Sequence, residues 1–343
     1  MKIAFVMPTY FDASSAIAGG ERYAYGLAKA MSERAETSIF TFGEQDKIVH
    51  DDKLKIVYCK TLFRIGGLAN PVSFSHLKAL PGFDIIHCLQ FKTLVTEFSI
   101  LLGTICHKKV FATDLAGGTC YSLARLFPMQ KGVKEFLFIS EYNRHLNSDL
   151  EAPSRVIFGG VNIKFFSPIN EPSRKSFLYV GRIFKKKGIH DLIEALPENA
   201  SLDIVGQCYD FGYLEELKKM GHKKKVSFYD SLPDDEVLNK YRNALALVLP
   251  SLADGGFTSA MEAMACGTPV IGTHLGSLPE VVAEGETGFL VNPGDVKALR
   301  EKMHFISENL NAAQTLGQNA CRRVLAQFTW EKVVDRCLEA YAA

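Results

Sequence analysis

Two successive series of short apolar segments, each alternating with helix-spaced apolar residues, constrain the fold of this chain most strongly. The first series begins with IAFVM (3–7) and the second with FLYVG (177–181). After IAFVM, the residues Ala24, Leu27 and Met31 recur on one face of a helix. Continuous apolar strands between amphipathic helices are typical of parallel sheets that are covered on both faces. The pattern therefore predicts an α/β fold with two doubly wound, Rossmann-like domains.

A polar segment with two prolines, NIKFFSPINEPSRKS (162–176), separates the two series. Such a composition is typical of a connection between domains. The length of 343 residues also suits two domains, since a domain averages about 150 residues. We therefore predict a first domain over residues 1–168 and a second over residues 169–327. Ligands of doubly wound sheets bind at the carboxyl ends of the strands, so two such domains facing each other would form a cleft.

The charge and cysteine content argue against several classes of protein. Lys and Arg together number 39 and Asp and Glu 38, so the charge balance does not favour a nucleic-acid partner. The eight cysteines are scattered, without a CxxC pair or a Cys/His cluster. This pattern argues against a disulfide framework or a zinc site and favours a reducing cytoplasm.

Membrane insertion is also disfavoured by the sequence. The amino-terminal MKIAFVMPTY lacks the long apolar core of a signal peptide, and the longest apolar stretch, residues 94–106, is too short to span a bilayer. We expect that stretch to form a buried helix. Residues 126–136 (LFPMQKGVKEF) mix apolar and basic side chains, which fits either a membrane-facing surface or a solvated loop. The predicted location is the cytoplasm, including the inner face of its membrane.

Gly19 and Gly20 lie between the first predicted strand and its helix. Glycines in such a loop let backbone N–H groups approach an anion, and the dipole of the following helix favours negative charge. The pair does not match the GxGxxG fingerprint of dinucleotide sites. It therefore predicts either an anion-binding loop or a plain turn.

A basic loop, VGRIFKKKGI (180–189), follows the first strand of the second series. It places Arg182 and Lys187 just before an amphipathic helix. Arginine offers a planar pair of donors and lysine a point charge, which together suit a diphosphate. The alternative is a basic loop that contacts only solvent.

The stretch ALALVLPSLADGGFTSAMEAMACGTPVIG (244–272) predicts a strand, a loop, a helix, a turn and a strand. Ser259 and Glu262 fit a capping box, so the helix is expected to begin near residues 257–259. Its free N–H groups would point back toward Asp254 and favour an anion. A glycosidase-like acid/base pair would instead need two carboxylates about 5 to 9.5 Å apart across a sugar. We therefore interpret Asp254 and Glu262 as hydroxyl-binding residues beside a phosphate site, with a purely structural cap as the alternative for Glu262.

Several motifs, in their order along the chain, resemble a known family: the retaining, nucleotide-sugar-dependent glycosyltransferases of the GT-B fold, often called family 4 or group 1. The most specific is the stretch from 250 to 295, PSLADGGFTSAMEAMACGTPVIGTHLGSLPEVVAEGETGFLVNPGD. The others are GGERYAYGLAKAM, FISEYNRH, VIFGGVNIKFF, FLYVGRIFKKKGIHDLIEAL and FTWEKVVDRCLEAYAA. The resemblance implies two facing Rossmann-like domains, the first on the acceptor side and the second binding the nucleotide-sugar donor. It also implies that a closing helix (328–343) crosses back to the first domain.

The resemblance assigns the donor contacts residue by residue. The family's two acids fall on Asp254, which would contact the hydroxyls of the donor sugar, and on Glu262, which would hold the nucleotide ribose. Arg182 and Lys187 would bind the diphosphate. Arg182, Lys187 and Asp254 are thus the expected catalytic residues. The remaining donor contacts would be the backbone amides of Gly256, Phe257 and Thr258 on the distal phosphate, and the loop of Gly19 and Gly20.

The sequence departs from the family pattern at three places. The first acid is Asp254, one methylene shorter than a glutamate, and the segment that joins the domains reads Gly159-Gly160-Val161. Relatives commonly carry a histidine that contacts the sugar where this chain has Asp114 or Leu115, which leaves Asp114 as the acceptor-side candidate. His87 is either a substitute for that histidine or a satisfied core residue.

The implied reaction moves a sugar from a nucleoside-diphosphate sugar to a hydroxyl of a sugar, a glycan or a lipid-linked glycan, with retention at the anomeric carbon. No DxD triplet occurs, so neither a metal nor another cofactor is expected. By the same resemblance, a loop at residues 226–231 would lie near the nucleobase. Asp254 and the missing histidine leave one alternative open, a catalytically degenerate nucleotide-sugar-binding or regulatory protein on the same fold.

Overall fold

Parallel strands and the helices that cover them build two separate units of the chain in a computed structural model. The first unit comprises Met1–Gly160 and Trp330–Ala343, and the second comprises Val161–Thr329. The structure describes the following residues: 1–9, 19–65, 70–115, 129–253 and 257–343.

Residues 161–168 belong to the second unit because they are hydrogen-bonded to it. The N–H of Val161 donates to the carbonyl of Phe328 at 2.9 Å, and the guanidinium of Arg242 donates to the carbonyl of Ser167 at 2.7 Å. In this division the first unit therefore ends at Gly160, whereas the sequence places the boundary at residue 168.

The first unit begins with a parallel strand and continues as alternating strands and helices. Its elements up to Gly160 are β1 (Lys2–Val6), α1 (Gly19–Ser32), β2 (Glu36–Gly43), β3 (Lys47–Asp51), β4 (Leu54–Lys60), β5 (Phe63–Arg64), β6 (Pro71–Val72), α2 (Ser75–Ala79), β7 (Ile85–Cys88), α3 (Leu94–Ile105), β8 (Lys109–Ala112), β9 (Glu135–Phe138), α4 (Glu141–Leu146) and β10 (Ser154–Val156).

Eight of these strands, counted over the described residues, form one sheet in the order β10-β9-β8-β7-β1-β2-β4-β3. All neighbouring pairs are parallel except β3 with β4, and β5 and β6 form a separate antiparallel pair. Ile3 and Phe5 of β1 lie in one apolar core, whereas Ala4 and Val6 lie in a second core on the opposite face. Burial on both faces explains why the strand reads as a continuous apolar run.

The second unit repeats this alternation more regularly. Its elements are β11 (Ser176–Val180), α5 (Ile189–Ala195), β12 (Ser201–Val205), α6 (Phe211–Gly221), β13 (Lys225–Tyr229), α7 (Asp234–Asn243), β14 (Ala244–Leu249), α8 (Phe257–Ala265), β15 (Val270–Thr273), α9 (Leu278–Val281), β16 (Gly288–Val291), α10 (Val296–Glu308) and α11 (Leu310–Gln327). Over the described residues the strands form a parallel sheet in the order β13-β12-β11-β14-β15-β16.

The closing helix α12 (Trp330–Ala342) belongs to the first unit, as predicted. Its buried Val333, Val334 and Cys337 lie in the same core as α1. The Trp330 ring packs directly on Gly26 and Gly160, where an added Cβ atom would lie 2.3 Å and 2.4 Å from ring carbons. Side chains at these two positions would therefore displace the tryptophan. The prediction of two doubly wound α/β domains with a returning helix is confirmed.

Helix α3 is the helix predicted for residues 94–106. Val95 and Ile100 are buried in the core of the first unit. Its carboxyl end, however, exposes Leu101 and Ile105 to solvent, so the helix is buried along one face only. None of the helices in the described ranges combines the length and hydropathy needed to traverse a bilayer.

Candidate functional site

The basic loop after β11 is held by its backbone while its guanidinium group stays exposed. Tyr179, buried in β11, donates its hydroxyl to the carbonyl of Arg182 at 2.9 Å. The N–H of Ile183 donates to the carbonyl of Gln207, in the loop after β12, at 2.9 Å. The Arg182 side chain is exposed to solvent. The backbone is thus fixed on both sides of a side chain that a ligand can reach.

The two cations predicted to bind a diphosphate lie beside one aromatic ring. The Arg182 Cζ atom is 5.3 Å and the Lys187 Nζ atom 5.7 Å from the centre of the Phe184 ring. Both distances lie in the range of cation–π contacts. Lys187 is 9% exposed in the 3-10 turn Lys185–Lys187, whereas Lys185 itself is exposed. The structure therefore brings Arg182 and Lys187 together around Phe184.

Gly188 joins the basic loop to the segment after β14. Its φ of 65° is left-handed, and a Cβ atom there would lie 2.1 Å from the carbonyl oxygen of Pro250. Glycine alone suits this conformation and this close approach. The N–H of Leu252 also donates to the carbonyl of Lys186 at 2.8 Å. Since β11 and β14 are neighbouring parallel strands, their loops leave at the same edge of the sheet, and these contacts hold the loops together.

Helix α8 begins at Phe257 in the described residues, within the predicted range of 257–259. Phe257 and Thr258 are partly exposed in its first turn, where backbone N–H groups have no acceptor inside the helix. Such a helix start favours an anion. Asp254 and Gly256 lie outside the described residues, and the roles expected for them stay predictions.

Ser259 does not cap α8, so the capping-box prediction is wrong. The helix begins two residues before Ser259, which lies inside the first turn. Glu262 is 8% exposed and accepts a hydrogen bond from the hydroxyl of Tyr241 at 2.8 Å. Tyr241 is fully buried in α7. Because a buried hydroxyl needs an acceptor, this bond ties the carboxylate to the neighbouring helix.

Residues 226–231 are not a loop, contrary to the expectation for the nucleobase. Val226 to Tyr229 belong to β13, which pairs with β12, and only Asp230 and Ser231 extend beyond the strand. The backbone groups of β13 are therefore engaged in the sheet. The loop that lies beside the basic loop instead follows β12.

Two exposed aromatic residues follow β12, and the backbone of the first adjoins the basic loop. The sequence pattern alone does not single them out. Tyr209 is 59% exposed and Phe211 is 75% exposed. The N–H of Tyr209 approaches the carbonyl of Ile183 at 3.4 Å, and Asp210 caps α6 by accepting from the N–H of Tyr213 at 3.0 Å. The signal in the sequence is the pair of aromatic residues just after LDIVG, at the end of a strand that adjoins β11.

Gly19 and Gly20 are the first residues of α1, whereas the sequence places them in a loop before the helix. A Cβ atom on Gly20 would lie 3.8 Å from the nearest atoms of Leu115 and Met7, an ordinary contact distance. The described surroundings of Gly20 therefore leave room for a small side chain. A close approach to an anion at these glycines stays a prediction.

The polar residues at the carboxyl ends of β7 and β8 are bonded inside the first unit. His87 is fully buried, with Nδ1 2.7 Å from the Tyr341 hydroxyl and Nε2 2.8 Å from the Thr113 hydroxyl. Burial lowers the pKa of His87 to about 3. It is a satisfied core histidine and does not replace the histidine that the family pattern lacks here. Asp114, partly buried, accepts from Asn147 Nδ2 at 3.2 Å and stays the acceptor-side candidate.

His, Cys, Asp and Glu side chains, which commonly bind metals, occur in many places in the part of the chain that the structure describes. No three His, Cys, Asp or Glu side chains in that part are grouped as a metal site requires. Each cysteine there is a free thiol. Because Asp254 lies outside that part, the expected independence from metals stays a prediction.

Residues 162–323 match the family described as Glycosyl transferases group 1, and they lie within the second unit. An uncharacterised glycosyltransferase of Methanocaldococcus jannaschii is 29% identical over 209 residues, which cover 60% of this chain and 59% of the relative. The chain thus matches less than two thirds of that relative's length. The residues that match the family include the basic loop and α8.

Solved structures resemble the chain over its whole length. The sucrose-phosphate synthase of Thermosynechococcus elongatus is 23% identical, with a TM-score of 0.78 over 99% of this chain and 98% of that one. The Anabaena protein HepE, solved in complex with UDP, is 17% identical, with a TM-score of 0.78 over 100% of both chains. At these identities the likeness shows the fold, which is GT-B. The match to the group 1 glycosyltransferases lies in the second unit and covers a little less than half of the chain.

Proposed function

We propose that this protein is a retaining glycosyltransferase that moves a sugar from a nucleoside-diphosphate sugar to an acceptor hydroxyl in glycan, polysaccharide or glycolipid synthesis. The observation that carries the proposal is the contact of the basic loop with the segment after β14, through Gly188 and Leu252. It places the cations Arg182 and Lys187 in a loop joined to the segment that leads to α8. This region lies within the residues that match the family.

Arg182 and Lys187 bind the diphosphate in this proposal and stabilise the negative charge that develops on it. As the anomeric carbon becomes oxocarbenium-like, the bond to the phosphate oxygen breaks and charge builds on the leaving group. Preorganised donors aimed at developing charge are usually the largest single contribution to catalysis. The backbone amides of Gly256, Phe257 and Thr258 add to it at the distal phosphate, since a helix start favours anions. With these cations the reaction needs no metal.

The nucleoside and the sugar are held by residues around this centre. Asp254 would accept hydrogen bonds from the hydroxyls of the donor sugar, and Glu262 from the ribose. The bond from Tyr241 supports this role for Glu262, because it fixes a carboxylate that would otherwise change rotamer. Tyr209 would stack on the nucleobase, since it is exposed and its backbone adjoins the basic loop. This assignment replaces the one expected for residues 226–231.

The acceptor is a sugar, a glycan or a lipid-linked glycan in this proposal. Retention follows if the acceptor hydroxyl attacks on the face that the diphosphate leaves, so that the leaving phosphate oxygen takes the proton. In the first unit, Asp114 is the proposed acceptor contact, and Gly19 and Gly20 at the start of α1 are the proposed anion contact. The free thiols of the described cysteines support a reducing compartment, the cytoplasm.

Thermal unfolding with a panel of nucleotides tests the proposal directly. UDP, GDP and ADP and their sugars would be added in the presence of a chelator, with UDP first because HepE was solved with it. One base is expected to raise the Tm, and transfer of its sugar to a glycan acceptor should give a product of the same anomeric configuration. Stabilisation by none of them would contradict a donor site. Stabilisation that needs a divalent metal would contradict the role given to the cations, and an inverted product would contradict retention.

A further inference from the structure

Four lysines at one end of the first unit have no carboxylate partner among the residues that the structure describes. Lys108 precedes β8, Lys109 is the first residue of β8, and Lys131 and Lys134 precede β9. Within the described residues none of the four forms an ion pair. The adjoining Glu135 is bonded to Arg155 at 2.5 Å. Positive charge is therefore concentrated here, although the whole chain has a formal charge of only +1.

Close packing brings the two pairs of lysines together. A Cβ atom on Gly132 would lie 2.5 Å from Thr104 Oγ1 and 2.7 Å from Ile100 Cγ2, so the turn that carries Lys131 lies directly on α3. The N–H of Lys134 donates to the carbonyl of Val110 at 2.7 Å, which sets β9 beside β8. The segments that carry the four lysines are thus packed against each other in the first unit.

The lysines are close enough to disturb one another. Desolvation, and then the neighbouring Lys109 ammonium, lower the pKa of Lys134. Lys109 donates to the carbonyl of Tyr341 at 3.0 Å, which anchors the side chain without neutralising it. By contrast, Lys29 on α1 is bonded to two carboxylates, Asp51 at 2.6 Å and Asp52 at 2.7 Å. Charge that is held together unneutralised favours an anionic partner.

Exposed aliphatic side chains adjoin the same lysines. Ile105 is 64% exposed and Leu101 is 44% exposed. They are four residues apart on α3, so they share one face of the helix next to the turn that carries Lys131. An anionic bilayer complements both kinds of side chain, because its negative headgroups attract lysines and its apolar layer accommodates aliphatic side chains. Nucleic acid would satisfy only the charges.

We infer that this lysine surface, made of Leu101, Ile105, Lys108, Lys109, Lys131 and Lys134, docks the protein on a bilayer that contains anionic phospholipids. It includes part of the segment 126–136 that the sequence leaves between a membrane-facing surface and a solvated loop. The docking does not depend on the proposed transfer reaction, because all six residues belong to the first unit, whereas the basic loop belongs to the second.

Vesicle binding of the full chain tests the inference. Vesicles of phosphatidylcholine mixed with phosphatidylglycerol should bind the protein, and vesicles of phosphatidylcholine alone should not. Replacing both Lys131 and Lys134 by Ala should weaken binding about 25-fold, at roughly fivefold per lysine near an anionic surface. The matched control replaces the exposed Lys223 and Lys225 of the second unit by Ala, with the same change in net charge and no loss of binding.

A second pair of variants separates the apolar contribution from charge. Ile105→Ser should weaken vesicle binding severalfold and make the remainder more sensitive to salt, whereas Leu325→Ser, on an exposed leucine of α11, should not. The inference is overturned if wild type binds both vesicles equally or neither, or if the control variants lose as much binding as the test variants. Tighter binding to duplex DNA than to anionic vesicles would also overturn it. Stabilisation by UDP should be the same in all four variants, so a failed donor site and a failed lipid surface would be told apart.

Discussion

A basic side chain lies at the carboxyl edge of each sheet, but it is exposed to solvent in the second unit and buried in the first. In the second unit, Arg182 is exposed at a strand end while backbone hydrogen bonds fix the loop beneath it. In the first unit, His87 also lies at a strand end, but both ring nitrogens are bonded to buried hydroxyls. The comparison teaches that a polar residue at a strand end becomes available to a ligand only when the surrounding structure bonds its backbone and leaves its side chain free.

We expect the largest effect on turnover when the exposed cation is removed. Arg182→Ala should lower turnover of the nucleotide-sugar a few hundredfold, because about 3–4 kcal/mol of transition-state stabilisation is typical for one preorganised donor. Steady-state kinetics would measure it. Lys185→Ala, an exposed lysine in the same turn, is the control and should leave turnover close to wild type. Wild-type turnover in Arg182→Ala would mean that the exposed arginine at the edge of the second sheet does not bind the donor.

The buried histidine should act on stability and not on catalysis. Burial lowers the pKa of His87 from 6.5 to about 3, so below pH 6.5 the unfolded chain takes up a proton that the folded chain does not. The free energy of unfolding should therefore fall with falling pH, by about 2.7 kcal/mol over two pH units from this residue. Urea unfolding at several pH values would measure the slope.

His87→Gln should flatten that slope, with the exposed His274→Gln as the control that keeps it. Some dependence should persist, because burial also lowers the pKa of His76 to about 4. An unchanged slope in His87→Gln would show that the histidine is not a buried neutral residue of the first unit.

The close contact between Gly188 and Pro250 should make the stability of the second unit sensitive to one added methyl group at Gly188. Gly188→Ala adds a clash with Pro250 to the cost of a left-handed backbone, whereas Gly285→Ala has a similar φ of 73° and no neighbour within 4 Å of the added atom. Both should lose about 1–2 kcal/mol for the backbone. Gly188→Ala should lose about 1–3 kcal/mol more from overpacking. Equal losses in denaturant unfolding would mean that the loops are not held together at Gly188.

The smallest expected effect concerns the nucleobase. Tyr209→Ala should weaken UDP binding about tenfold, since stacking of one base on an aromatic side chain contributes about 1–3 kcal/mol. Tyr209→Phe should keep most of the affinity, and pyrophosphate, which has no base, should bind both variants like wild type. Calorimetric titration of wild type and both variants with UDP and with pyrophosphate would measure these affinities. An equal loss of pyrophosphate affinity in Tyr209→Ala would mean that the tyrosine stabilises the basic loop and does not contact the nucleobase.

The sequence predicted the fold well because the fold depends on patterns within short segments. The apolar run of β1 needs only to be buried on both faces, and its alternate residues do lie in two cores. The start of α8 was predicted within its range, but Ser259 lies inside the helix and not at its cap. A cap depends on the one residue where the backbone turns helical, and a spacing of three residues does not locate that point.

By itself the sequence determined the two α/β domains, the returning helix and the two cations of the basic loop, because these follow from apolar periodicity and residue type along the chain. Only the tertiary structure decided which side chains meet. Arg182 and Lys187 both contact the Phe184 ring, and Glu262 accepts a hydrogen bond from Tyr241 on another helix. His87 is hydrogen-bonded to Tyr341, which is 254 residues away in the chain. Such partners come from strand order and helix packing, and no local pattern encodes the distance between residues so far apart in the chain.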